Sequence, residues 1–322
     1  MRRRANEPCF CGSGAKLKRC HLDRRALARP LVELGLVGPR REVPTSIIRP
    51  PYVDGGRMGP ATVQIHDQAS LARLRIACRI AAEVLLETAA AVAPGVSTDE
   101  LDEIAHAAYI ARGAYPSTLG YKGFPKSVCT SVNEVICHGI PDSRALRDGD
   151  VVNIDVTAYA EGMHGDTSAT IVVGQGHPTV LQLVDTTRRA TLEGIRAIAP
   201  GRPLRAVAEA IVPFVDQYGY DIIAEYGGHG IGSVFHAAPH VNHTIEPRDR
   251  ALFQVGMSLT VEPMLTSGEA TFHQAPDGWT EFADDGLPSA QFEHTVIVTD
   301  CGVEILTVTA DGRTAVGTLD ER

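Results

Sequence analysis

The chain of 322 residues is 44% hydrophobic and 21% charged, which is ordinary for a globular protein. The sequence has no apolar run of about 18 or more residues that would span a membrane, and the basic residues 2–4 are not followed by the apolar core of a signal peptide. The seven cysteines are an odd number, and most stand apart in apolar surroundings. We therefore expect a cytoplasmic protein without a membrane segment or a disulfide framework.

Charge is spread unevenly along the chain. Residues 1–41 contain eleven Lys and Arg against three Asp and Glu, a balance of +8, while the whole chain carries −9, so the remainder carries −17. A basic N-terminal segment on an acidic body predicts that the segment meets a polyanion. The alternative is a basic tail that only adds solubility.

The first 25 residues, called the head below, hold four metal-ligand side chains within thirteen positions: Cys9, Cys11, Cys20 and His21. Three thiolates and one imidazole match a closed structural zinc site, and so short a segment needs the metal to fold. The alternative is a set of reactive cysteines without metal. Residues from about 7 to 22 resemble the SEC-C motif, a small zinc module, although a Cys is more usual where His21 stands. The resemblance implies one structural Zn and a docking role.

Residues 26–61, called the linker, contain six prolines, at positions 30, 39, 44, 50, 51 and 60. This composition predicts an extended, semi-rigid segment. We expect its last part, Ile47 to Val53, to lie along the body, which comprises residues 62–322.

The body begins with two predicted helices. Apolar residues at helical spacing predict a helix over residues 68–92, and a capping box of Ser97 and Glu100 opens a second helix that reaches about residue 112. The same order of two successive helices recurs over about 178–199 and from about 202 through Phe214, and strand-like runs follow each helix pair. We predict an α+β body whose sheets are covered on one side by helices, with an internal duplication.

Asn153 to Thr170 has the pattern of a β-hairpin with one aspartate on each arm. With a two-residue turn at residues 160–161, Asp155 would lie directly opposite Asp166 and on the same face, with Cβ atoms about 4.5–5.5 Å apart. Two carboxylates that close need a cation between them. The alternative is an ordinary hairpin whose acids face solvent.

Further residues favour the interpretation that a cation binds here. Glycines on both sides of His229 leave its imidazole uncrowded, and Glu262 and Glu293 lie in apolar, strand-like runs. A carboxylate in such a run is costly to bury unless it is paired or binds a metal. Four carboxylates also balance the charge of two divalent cations, so these residues predict a dinuclear site.

Residues 120–141 begin with aromatic side chains and end near a histidine. Tyr121 and Phe124 predict either a pocket wall or plain core packing, and an isolated histidine such as His138 is more often structural than catalytic.

Together these stretches resemble a type I methionine aminopeptidase. The matching segments lie within about residues 62–312 and are 120–141, 153–170, 227–239, 258–265 and 289–298. The resemblance implies the pita-bread fold, with internal pseudo-twofold symmetry, for a catalytic domain of residues 62–322. It implies removal of the initiator methionine from nascent polypeptide N-termini when the second residue is small and uncharged.

The resemblance also implies the metal ligands. Asp155 and Asp166 would bind one divalent metal, and the second would be bound by Asp166, His229, Glu262 and Glu293. Asp166 and Glu293 would bridge the two. The sequence leaves the metal open among Co, Mn, Fe and Zn.

The resemblance further implies a hydroxide, activated by the two metals, that attacks the first peptide bond. His138 would lie near the scissile amide nitrogen and His236 near the carbonyl oxygen, and Glu262 would shuttle a proton. The methionine pocket would be lined by Tyr121, Phe124, Cys129, Phe235 and Trp279.

Two positions depart from the family pattern: Thr118 stands where bacterial members often have Cys, and Lys122 where some have His. Both bear on inhibitor and metal sensitivity.

One rival interpretation is an aminopeptidase P or prolidase-like hydrolase, which would carry a larger N-terminal domain. The other is a non-catalytic protein of the same fold that binds nucleic acid or partners, but this sequence has lost no ligand. We expect a monomer whose head docks on ribosomal RNA near the nascent-chain exit.

Overall fold

The structure, a computed structural model, describes residues 6–9, 13–20, 22–27, 31–56 and 59–320. The α-helices within these residues are α1 (Arg24–Leu27), α2 (Gln68–Ala90), α3 (Thr98–Ala111), α4 (Pro178–Arg196) and α5 (Ala206–Asp216). Short 3-10 helices span Leu17–Arg19, Pro51–Asp54 and Tyr121–Gly123. No helix of the described ranges is both long and apolar enough to cross a membrane.

The strands of the first half of the body are β1 (Tyr115–Pro116), β2 (Cys129–Val132), β3 (Val135–Cys137), β4 (Val151–Ala160) and β5 (Met163–Val172). The strands of the second half are β6 (Asp221–Ile222), β7 (Gly228–Gly230), β8 (Ala237–Val241), β9 (Ser258–Val261), β10 (Met264–Thr266), β11 (Phe272–Gln274), β12 (Glu281–Ala283), β13 (Ser289–Gln291), β14 (Glu293–Val298) and β15 (Val303–Ile305).

The four long helices agree with the sequence predictions. Asp67 caps α2 by accepting a hydrogen bond from the Ser70 amide, and Ser97 and Glu100 form the predicted reciprocal capping box at the start of α3. The predicted helix ends are correct to within about four residues. Local signals in the chain were therefore sufficient to predict these elements.

A nine-stranded sheet runs through the body in the order β1-β4-β5-β14-β9-β7-β8, with β2 paired to β4 and β15 paired to β14. Helices α2 and α3 pack with β4 and β5 in one apolar core, and α4 and α5 pack with β9 and β14 in another. Each helix pair thus covers one half of the same sheet. Two three-stranded sheets, β13-β10-β6 and β11-β12-β3, complete the body. The predicted internal duplication stays a prediction.

The β4–β5 hairpin has a different register from the predicted one. Its turn is Glu161-Gly162, and Asp155 pairs with Ser168 while Thr157 pairs with Asp166. Both turn residues have positive φ, 53° and 77°, as a type I′ hairpin turn requires, and glycine adopts this conformation without strain. The prediction that the two aspartates lie directly opposite each other is therefore wrong. They are diagonal neighbours, and both still point to one face of the sheet.

The two faces of this hairpin have opposite roles. Val152, Ile154 and Val156 of β4 belong to the helix-covered core. Because side chains alternate along a strand, Asp155 and Thr157 point away from the helices. The carboxylates therefore lie on the side of the sheet that no long helix of the described chain covers.

The linker contacts the body over more of its length than predicted. The Gly35 amide donates to Asp142 Oδ2 at 2.6 Å, and Leu36 and Ser143 exchange two hydrogen bonds. The Arg41 guanidinium binds Asp102 at 3.0 Å. Farther along, the apolar side chains of the linker join a small cluster on the body, made up of Val43, Ile47, Tyr115, Leu119 and Tyr159.

The head is described in part. Cys9 and Cys20 lie within the described residues, whereas Cys11 and His21 lie outside them. The Cys9 amide donates to the Ala15 carbonyl at 2.8 Å, so the chain turns back on itself here. The predicted four-ligand zinc site therefore stays a prediction.

Gly165 gives a test of the close contact between sheet and helix. An added Cβ would lie 2.4 Å from the Cys78 nitrogen and 2.6 Å from the Ala77 carbonyl carbon, both in the backbone of α2. We expect Gly165→Ala to lower the free energy of unfolding by about 1–3 kcal/mol in urea titrations, because the helix must move. Gly59→Ala is the control, since its added Cβ meets only a Val234 methyl group at 3.2 Å. Equal stability of the two variants would contradict the close contact.

Candidate metal centre

Five potential metal ligands converge from five segments of the body. Asp155 lies on β4, Asp166 on β5, His229 on β7, Glu262 between β9 and β10, and Glu293 at the start of β14. The sequence had predicted both glutamates inside strands. The structure instead places them at strand ends. Glu262 is followed by Pro263, which has no backbone N–H to donate, and the pairing of β9 ends there.

Three of these side chains are close enough to share one cation. Asp166, His229 and Glu293 each offer a ligand atom, and these atoms lie within 4.8 Å of one another. His229 Nε2 is 3.8 Å from Asp166 Oδ2 and 3.6 Å from Glu262 Oε1. His229 Nδ1 lies 3.1 Å from the Gly230 carbonyl, to which it donates, so Nε2 keeps a lone pair that faces the carboxylates.

Unpaired oxygen atoms indicate that the cluster fits a cation. Asp155 Oδ1 and Glu293 Oε1 are buried without a hydrogen-bond partner among the described residues. An unpaired buried oxygen costs free energy that a bound ion would recover. Oxygen and imidazole ligands are those that hard and borderline divalent metals prefer. The residues present therefore fit divalent cations, and the predicted number of two stays a prediction.

The raised pKa values of the carboxyl groups show the same need for positive charge. Burial raises the pKa of Asp155 to about 7 and that of Glu262 to about 8. Burial and the neighbouring carboxylates raise the pKa values of Asp166 and Glu293 well above their usual range. Burial lowers the pKa of His229 to about 4, so its imidazole is neutral at pH 7. Without a cation, the described residues do not compensate four ionised carboxylates.

Hydroxyl and amide groups hold the carboxylates in place, and sequence reasoning missed them. Thr157 donates to Asp166 Oδ1 at 2.7 Å, Thr260 donates to Glu262 Oε1 at 2.6 Å, and the Gln291 amide donates to Glu262 Oε2 at 3.1 Å. Only the observed register could have shown that Thr157 faces Asp166. Thr260 had a local signal, because it precedes Glu262 by two positions on the same strand.

One cavity of about 310 Å³ joins the cluster to an aromatic pocket. All twelve residues predicted for the active site line it: His138, His236, Asp155, Asp166, His229, Glu262, Glu293, Tyr121, Phe124, Cys129, Phe235 and Trp279. Tyr121 and Phe124 thus form a wall, and do not belong only to the core. The predicted roles of these residues stay predictions.

Two histidines of the cavity are held by aromatic neighbours. His236 Nδ1 lies 3.0 Å from the Tyr121 hydroxyl. His138 has a positive φ of 56° and lies edge-to-face against Tyr226 and Trp279, with ring centroids 5.4 and 6.2 Å away. Such a backbone conformation is rare for a residue with a side chain and is often found at functional sites. Tyr226 is a further lining residue that the sequence analysis did not select.

Comparison with known proteins identifies the family. A model of metallopeptidase family M24 matches residues 72–300, and a model of the SEC-C motif matches residues 6–23. A methionine aminopeptidase 2 from Mycobacterium tuberculosis is 48% identical over 286 residues, which cover 87% of this chain and 99% of that protein. This chain belongs to the methionine aminopeptidases of metallopeptidase family M24. A methionine aminopeptidase 1D of Arabidopsis thaliana is 45% identical over 85% of this chain and 78% of its own length.

Solved structures of methionine aminopeptidases share the fold. The enzyme of Rickettsia prowazekii superposes with a TM-score of 0.75 at 39% identity and covers 77% of this chain and 100% of its own. Prolidase from Pyrococcus furiosus, at 21% identity and a TM-score of 0.62, covers 76% of this chain and 65% of its own, and shows a likeness of fold alone. The predicted pita-bread fold is confirmed at this level.

The pH dependence of metal binding gives a test of the cluster. The raised pKa values of Asp155 and Glu262 mean that the folded, metal-free protein keeps protons that the unfolded chain has released. Stability of the metal-free protein is therefore lost as pH rises through about 7 to 8, and a cation that replaces these protons restores it. We expect Mn²⁺ to raise the unfolding temperature more at about pH 8.5 than at about pH 6.5. Calorimetry with Mn²⁺ or EDTA measures this, and an equal gain at both pH values would contradict it.

Proposed function

We propose that this chain is a type I enzyme that removes the initiator methionine from nascent proteins whose second residue is small and uncharged. The observation that carries the proposal is the single cavity in which the carboxylate cluster meets an aromatic pocket. The relatives named methionine aminopeptidases support the same activity. Two divalent metals are expected at the cluster, drawn from Co, Mn, Fe and Zn.

The pocket suits the methionine side chain. Phe124 and Trp279 meet edge-to-face with ring centroids 5.1 Å apart, and Tyr121 and Phe235 lie 4.8 Å apart on another side. Burial raises the pKa of the Cys129 thiol, so it remains a neutral sulfur. A flexible thioether makes favourable contacts with aromatic rings and sulfur. The rings therefore bind the first side chain and turn the first peptide bond toward the cluster.

Asp155, Asp166, His229, Glu262 and Glu293 would hold the metals. Divalent metals, when bound, supply Lewis acidity and lower the pKa of water to near neutrality. The protein contributes ligands fixed by Thr157, Thr260 and Gln291, and rigid placement of reacting groups is itself catalytic.

In this proposal, His236 donates a hydrogen bond to the substrate carbonyl oxygen. Burial and neighbouring histidines lower its pKa well below the usual value, so it is neutral. In the tautomer whose Nδ1 accepts from the Tyr121 hydroxyl, Nε2 carries the proton and can stabilise negative charge on that oxygen.

Glu262 and His138 serve the leaving side of the reaction. Glu262 accepts a proton and passes it to the departing amine. The pKa of His138 is lowered by burial to about 4, so this neutral imidazole can hydrogen-bond the amide nitrogen without adding charge.

Asp166 is the ligand whose loss should matter most, because it is proposed to bridge both metals. We expect Asp166→Ala to abolish methionine release from Met-Ala peptides, followed by chromatography of free methionine. Asp284→Ala, which removes a carboxylate with an exposed side chain, should retain activity. Retained activity of the Asp166 variant with metal still bound would refute the assignment.

We also propose that the head binds one structural Zn through Cys9, Cys11, Cys20 and His21 and docks on ribosomal RNA, and that the enzyme works as a cytoplasmic monomer. The match to the SEC-C motif and the +8 balance of residues 1–41 support a docking role. Lys16, Lys18 and Arg19 are exposed on the head. Contacts between such residues and phosphates make binding weaker as salt rises.

Replacing these three residues together tests the docking role. The triple change Lys16→Gln, Lys18→Gln and Arg19→Gln should reduce co-sedimentation with ribosomes by at least about tenfold at low salt, because three phosphate contacts are lost. The control removes the same charge from three exposed residues of the body, Arg202, Arg248 and Arg250. If both triple variants co-sediment like the wild type, the docking proposal is wrong.

A further inference from the structure

The cavity has an inner end and an open mouth. The predicted ligands and the aromatic pocket are buried or half-buried, whereas the lining residue Lys122 is exposed to solvent. A peptide whose first residue fills the pocket and whose first peptide bond lies at the cluster must continue outward. Its third and fourth residues therefore pass Lys122, since each residue of an extended chain advances about 3.3–3.6 Å.

Lys122 brings an isolated positive charge to this mouth. It is the single Lys or Arg among the described residues that line the cavity, and no carboxylate of the described chain lies within 4.0 Å of it. Its field also reaches into the cavity, where it helps to lower the pKa values of His138 and His236. As the single cationic Lys or Arg side chain of the described lining, Lys122 sets the sign of charge at the exit.

The backbone and a ring restrict where this charge can lie. Lys122 has φ 46° and sits between Gly120 and Gly123, which have φ 87° and 93°. Its Nζ lies 5.3 Å from the centroid of the Tyr121 ring, in the range of a cation–π contact. Because Tyr121 is itself part of the pocket wall, the ammonium group is held at the point where the substrate leaves the pocket.

We propose that Lys122 is a specificity-determining residue that favours substrates with acidic side chains at the third and fourth positions. This inference rests on the proposed methionine aminopeptidase activity. The substrate carboxylate pairs with the ammonium group in a solvated site, so the preference is modest and depends on salt. Lys122 thus extends selection beyond the second residue, by charge and not by size.

Two peptides of equal shape isolate the charge: Met-Ala-Asp-Asp-Gly amide and Met-Ala-Asn-Asn-Gly amide. We expect the metal-loaded wild-type enzyme to favour the acidic peptide about two- to fivefold in kcat/KM at low ionic strength, and this ratio to fall toward one at high ionic strength. The difference should appear mainly in KM, since the pair forms equally in the bound substrate and the transition state.

Variants of Lys122 then test whether its charge causes the preference for the acidic peptide. Lys122→Gln should bring the ratio to about one, Lys122→Glu should invert it, and Lys122→Arg, which keeps the charge, should retain it. Arg313→Gln is the matched control, because it removes one positive charge from an arginine that is 71% exposed and does not line the cavity. It should keep the wild-type ratio.

The outcomes distinguish a failure of the proposed role of Lys122 from a failure of the proposed aminopeptidase activity. The same ratio in the wild type and in Lys122→Gln would overturn the role of Lys122 while leaving the aminopeptidase activity intact. Release of methionine from neither peptide by the wild type would overturn the proposed function and, with it, this inference.

Discussion

Four carboxylates buried around one cavity are the constraint on which the rest of the molecule depends. Two of their oxygen atoms find no hydrogen-bond partner within the described chain, and burial raises the pKa values of all four groups. Protons or divalent cations must balance this charge. The fold provides the place by covering one face of the large sheet with helices and leaving the other face for the acids.

The cluster also joins the two halves of the body. Asp155 and Asp166 come from the hairpin that belongs to the first apolar core, whereas His229, Glu262 and Glu293 come from strands around the second. A cation bound between them would act as a crosslink through the middle of the sheet. Metal binding, the geometry of the site and the relative position of the two cores are therefore parts of one equilibrium.

The sequence predicted what local chemistry specifies. Capping residues and helical periodicity were sufficient to predict α2 to α5, and the residue types were sufficient to select candidate ligands that the structure brings together in one cavity. The predicted hairpin register was wrong because the turn was placed one residue too early, at Ala160-Glu161. The observed turn includes Gly162, the residue that tolerates positive φ. Partners such as Thr157 and Gln291 could not be predicted, because their roles exist only once distant strands have paired. The contacts of the linker were likewise missed, since an extended segment has no periodic pattern to read.

Trp279, described above as one wall of the pocket, is the chain's single tryptophan. All indole emission from this protein therefore originates where the first substrate residue is proposed to bind. The ring meets Phe124 and His138 edge-to-face, so a side chain that enters between them changes the polarity and packing around the fluorophore. The molecule thus carries an intrinsic optical probe, and occupancy of its pocket can be followed without any added label.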